Sequence, residues 1–106
     1  MIEREDLEMA RAAAERLPRA WTRAGPGAQL RALRMELDVS QKVLAAAAGM
    51  DASRVCRLER GDDAPLETWR RLYQALGCEA VLVPLGEDEE ARGLLKDMAE
   101  QRLAGG

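Results

Sequence analysis

Between Val39 and Gly61 the chain reads VSQKVLAAAAGMDASRVCRLERG. A polar start leads into four alanines, a glycine stops the run at position 49, and the next segment carries Arg54, Arg57 and Arg60. Ser40 suits an N-cap, because its hydroxyl can accept from an unpaired first-turn N–H. The helix it opens is expected to reach about Ala48, with Val43, Leu44 and Ala47 turned inward. Gly49 suits the left-handed residue past a helix end. Asp51 is the next N-cap candidate, and Ala52 to Arg60 is expected as a second helix that Gly61 closes. Its apolar residues Val55 and Leu58 face one way, while positions 53 and 57, with 54 and 60 beside them, face the other.

The flanks extend the helical reading. Upstream, Ala28 to Leu37 is expected as a helix with Leu30, Leu33, Met35 and Leu37 on or near one side, linked to Ser40 by Asp38-Val39. Gly25-Pro26-Gly27 reads as a break. Before it, Met1 to Leu17 has Leu7, Ala10, Ala14 and Leu17 at helical spacing, and Pro18 should end that helix. A short turn from Arg19 to Ala24 would carry Trp21. Downstream, Pro65 suits a helix start, and Leu66, Trp69, Leu72, Tyr73 and Leu76 mark one apolar face before Gly77. The period then changes. Glu79 to Leu85, EAVLVPL, is β-rich, and Pro84 confines it to an edge or a strand end. A lone strand needs a partner, and no second candidate exists, so Ala80, Val81, Leu82 and Val83 are expected to pair with a second copy across a two-fold axis. Glu87 to Leu103 is the last expected helix, with an acidic start and a stripe of Ala91, Leu94, Leu95 and Met98. Three regions follow: 1–26, a helical extension; 27–77, the central module; and 78–106, strand plus acidic helix.

The net charge of −3 is unevenly spread. Residues 28–77 hold eight basic and seven acidic side chains, whereas residues 78–106 hold three basic and seven acidic. An overall acidic balance argues against a nucleic-acid binder. Phosphate contacts depend on where the arginines point, however, and the excess acid lies in the C-terminal third. There is no histidine, and Cys56 and Cys78 stand 22 apart, so no zinc site is expected. No cofactor is expected either, and without a histidine, a reactive-cysteine context or a glycine-rich phosphate loop an enzyme is excluded. No apolar run approaches the ~20 residues of a membrane span. The expectation is one domain of a cytoplasmic protein with two reduced thiols.

Two short helices with a glycine between them form the helix-turn-helix unit, whose second helix enters the DNA major groove. Leu30, Leu33-Arg34, Ser40-Gln41, Leu44-Ala45, Gly49, Val55, Leu58-Glu59-Arg60-Gly61, Pro65, Leu72 and Ala75-Leu76-Gly77 resemble the Xre-type, lambda-repressor-like helix-turn-helix domain over about residues 27–77. The resemblance implies an all-α, five-helix core. To it are added the N-terminal helix, the short dimer-pairing β-strand and the C-terminal helix. It also implies roles. Gln41 matches a glutamine that grips phosphate and buttresses the first recognition residue. Ala52, Ser53 and Arg57 fall where the family touches base edges, and Lys42, Arg54 and the 61–63 loop fall near the backbone. Arg34 and Glu59 match an ion pair between the family's first and third helices.

The chemistry agrees. Arg57 can contact guanine O6 and N7 with both arms of its guanidinium, and Ala52 offers a methyl to thymine. The plain alternative for Arg57 is a solvated helix face, and Arg60 more readily pairs with acid at the rim. Asp51 departs from the family pattern and would repel phosphate unless it serves as the N-cap, and Asp62-Asp63 stand where the family often carries basic or neutral residues. The leading expectation is a DNA-binding transcriptional repressor that grips a palindromic double-stranded operator as a homodimer. The strand also resembles that of type II antitoxins, which makes a toxin protein a possible partner. An interaction adaptor without DNA affinity is the third reading.

Overall fold

A computed structural model describes residues 1–85 and 88–105. Seven helices form among them: α1 (Arg4–Glu15), α2 (Arg19–Arg23), α3 (Pro26–Glu36), α4 (Gln41–Ala48), α5 (Ala52–Glu59), α6 (Leu66–Ala75) and α7 (Glu89–Gly105). Glu87, where the sequence reading starts the last helix, lies outside the described residues. The chain divides into two compact units, Leu17–Leu82 and a second formed by Met1–Arg16 with the described residues from Val83 onward.

In the larger unit α3 and α4 each pack against α5 and α6. Leu30, Leu44, Val55 and Leu72 are fully enclosed at the centre, with Ala45, Ala48, Leu58 and Trp69 around them. The local signals explain the ends. Ser40 Oγ accepts from Val43 N at 3.1 Å and opens α4. Gly49 closes α4 at φ 71°, which lets Met50 N reach the Ala45 carbonyl at 2.9 Å. That 6→1 bond is a Schellman closure, and a Cβ at position 49 would strain it. Trp69 Nε1 donates to Ala64 O at 3.1 Å, so the indole is buried without an orphaned donor.

Four expectations need correction. The C-terminal β-strand is absent: residues 79–85 are not in a strand, and the described residues contain none. Of the pairing set, Ala80 is half-buried, while Val81, Leu82 and Val83 are 65%, 80% and 38% exposed. The composition favours extended backbone, but a ladder needs a second strand, and Pro84 has no N–H to offer one. Second, residues 27–77 hold four helices rather than five; the fifth helix of this unit, α2, lies upstream.

Third, α4 is turned by about one residue. Leu44, Ala45 and Ala48 are buried, whereas Val43 is 59% exposed and Ala47 is exposed. Packing against both α5 and α6 favours the small Ala45 and Ala48, and a run of four alanines hides that choice. Fourth, the break falls at Gly25, and the helix expected from Ala28 already starts at Pro26. Gly25 is the N-cap, Pro26 sits at N1, and Gly27 lies inside α3. A Cβ at position 27 would land on the Leu58 carbonyl oxygen, so glycine is what lets α3 seat on the end of α5.

Candidate nucleic-acid interface

The candidate interface is built around Glu59, the one buried charged side chain among the described residues. Its carboxylate sits on the last turn of α5 and accepts from both forks of Arg34 on α3, Nε at 2.7 Å and Nη2 at 2.9 Å. Gln41 Nε2, on the first turn of α4, donates to the same carboxylate at 3.0 Å. The third arm of Arg34, Nη1, donates to Val39 O at 2.8 Å in the link before α4. Three helices and one link thus meet on one ion pair. No buried side-chain nitrogen or oxygen among the described residues lacks a partner.

Burial pushes the Glu59 carboxyl pKa up. The hydrogen bonds from Arg34 and Gln41, with the charges of Arg34 and Arg31, outweigh it and hold the carboxyl below its ordinary value. Its bond to Glu59 raises the Arg34 guanidinium, against the opposing pull of burial.

Fixing Glu59 inward fixes the rotation of α5. Val55 and Leu58 are buried, and the opposite edge presents Ser53, Arg54, Arg57 and Arg60, all exposed. Lys42 is exposed on the first turn of α4. Ala52 behaves differently: it is half-buried and packs partly against the core, so only part of its methyl faces outward. Asp51 occupies the N-cap position, but its side chain makes no capping bond.

Arg57 Nε stands 3.9 Å from Asp62 Oδ2, with both side chains more than half exposed. The Asp62 backbone is tied to the same residue, its N–H donating to Arg57 O at 3.1 Å. An exposed pair of this kind contributes about 0–1 kcal/mol. A two-armed arginine contact to guanine is worth about 1–3 kcal/mol in discrimination, so it can displace Asp62.

One residue carries no role in the sequence reading. Arg31, one turn before Arg34 on α3, joins Arg34, Gln41, Cys56, Glu59 and Arg60 around an open cleft of ≈ 300 Å³. The i, i+3 spacing of Arg31 and Arg34 was the available signal, since residues so placed share a helix face. Cys56 and Cys78 are both unpaired thiols, each half-buried.

No helix among the described residues is long and apolar enough to cross a membrane, and no cluster of metal-ligating side chains forms among them. No curated protein and no solved structure matches the chain significantly. A helix-turn-helix domain model matches residues 27–85, more than half of the sequence and the stretch that holds α3 to α6. On that match, with α4 and α5 joined by a glycine turn and α5 facing its cations outward, the chain belongs to the helix-turn-helix domain family.

Proposed function

We propose that the protein is a sequence-specific transcriptional regulator of the cytoplasm, most simply a repressor, that grips a palindromic operator as a homodimer. The observation that carries this reading is the locked rotation of α5. Glu59 is held inward by Arg34 and Gln41, and the opposite edge is a cationic row with one serine. In this reading Arg57 and Ser53 read base edges, with the exposed part of Ala52 beside them. Lys42, Arg54 and Arg60 sit on phosphates, and Gln41 uses its second amide N–H for another. Phosphate contacts position the module, and the base contacts specify the site.

The acidic balance of the chain and the Arg57–Asp62 pair favour a second reading, an interaction adaptor that keeps the fold without DNA affinity. Selection of bound duplexes from a random pool, followed by titration at about 50 mM salt, separates the two. Enrichment of a palindrome supports the regulator; no binding to any duplex at that salt overturns it. The antitoxin reading loses the strand that suggested it, and a toxin partner has only the acidity of residues 78–106 behind it.

A further inference from the structure

Among the described residues nothing after Leu72 is buried. Eight of the eighteen large hydrophobics that stand exposed lie at Val81 or beyond. α7 runs for 17 residues with none buried. Helices in proteins owe most of their stability to an apolar face that something covers. Gly93 weakens α7 further. The face is well defined: Ala91, Leu94, Leu95 and Met98 follow the i, i+3, i+4, i+7 pattern, with Leu94, Leu95 and Met98 62%, 67% and 55% exposed.

We propose that this face of α7 pairs with the same face of a second copy, antiparallel across a two-fold axis. The charges select that partner and that direction. Asp88 stands just before the helix, its Oδ1 accepting from Ala91 N at 3.1 Å, the helix opens on Glu89 and Glu90, and Arg102 continues the apolar stripe at its other end. Centring an antiparallel pair between Leu95 and Met98 sets each Leu95 against the partner's Met98. It also brings each Arg102 to the level of the partner's Asp88 and Glu90. A parallel pair would stack acid on acid, which is destabilising. A two-fold contact of this kind is self-complementary and closes without further growth. The inference rests on the homodimer of the proposed function and is independent of its DNA contacts.

Sedimentation equilibrium of the full chain without DNA tests it. The wild type is expected to dimerise. Leu95→Glu should weaken self-association by at least ~100-fold, since it buries a charge at the centre of the contact. Thermal melting of the variant checks that α3 to α6 remain folded. Arg102→Glu should weaken the dimer by roughly 3- to 10-fold at low salt, and adding Glu90→Arg in the same chain should recover it. A wild type monomeric at about 100 μM overturns both the homodimer and this surface. A dimer that Leu95→Glu leaves intact overturns the surface and spares the homodimer. A double swap that fails to recover the loss overturns the antiparallel pairing.

Discussion

A buried carboxylate is normally a liability, and Glu59 is tolerated because three donors from two other helices reach it. The lowered pKa fixes the sign of its pH dependence. The ionised form is favoured in the fold, so its contribution is fully present above the unfolded carboxyl value of about 4.3 and is lost as the pH falls below it. Arg34→Met should cost about 3–5 kcal/mol in urea unfolding, because Glu59 is then buried without its cation. Arg34→Met combined with Glu59→Leu should cost much less, and equal losses in single and double variants would refute the pairing account. Tyr73 carries the opposite sign. Its hydroxyl donates to Pro26 O at 3.0 Å, and burial, helped by Cys78, raises its pKa to about 12. The neutral form is favoured in the fold, so stability should hold below the unfolded value of about 10 and fall as the pH climbs from there through the folded value. Tyr73 is the only tyrosine, so tyrosinate absorbance reads it alone. A native midpoint near that of the urea-unfolded chain would contradict this environment. On the DNA side, Arg57→Ala should relax preference at one base position per half-site; a uniform loss over all sequences would make Arg57 a phosphate contact instead.

At the scale of elements, Gly27→Ala is the sharpest packing test. The added methyl meets the Leu58 carbonyl, which is backbone and cannot rotate away. Overpacking of this kind costs about 1–3 kcal/mol, and a melting temperature within a degree of the wild type would mean that α3 slides freely on α5. Gly27 also marks where sequence reading stopped short. Beside Gly25 and Pro26 it looks like a break, and only the approach of α5, 31 residues away in sequence, gives it a role inside a helix. The helices themselves were legible because their caps are local: Ser40 before α4, Gly49 after it, and a face of Val55 and Leu58 on α5. The rotation of α4 was not, since four adjacent alanines give no amphipathic contrast and the packing of α5 and α6 decides which are covered. Residues 79–85 show the limit of β-propensity, which describes a fit to neighbouring strands and not a preference the backbone holds alone. In the site, the pairing of Arg34 with Glu59 was expected from the family resemblance and not from their spacing, since they stand 25 residues apart on different helices. The convergence of Gln41 on the same carboxylate, and of Arg31 on the cleft, depends on how α3, α4 and α5 cross.

For the whole molecule the proposed function raises the question of how a chain with net charge −3 would hold a polyanion. The charge is segregated: residues 28–77 have one more basic than acidic side chain, and residues 78–106 have four more acidic than basic. In the proposed reading a duplex would meet the exposed row of Lys42, Arg54 and Arg60 around Arg57, while Arg34 is internally spent on Glu59. Two copies of Lys42, Arg54 and Arg60 would neutralise about six phosphates, which predicts a slope of about −5 in log K against log salt. Arg54→Gln should reduce that slope by about 2 per dimer and weaken all sequences alike. Asp62→Asn should act differently: it removes a negative charge beside Arg57 and should raise affinity for random duplex more than for the selected operator. Fluorescence anisotropy over a salt series, with the selected operator and a scrambled duplex, measures all three. A slope near zero would mean that the arginine row does not lie on phosphates. A slope of the expected size that Arg54→Gln leaves unchanged would move the backbone contacts to other cations and take α5 out of the groove.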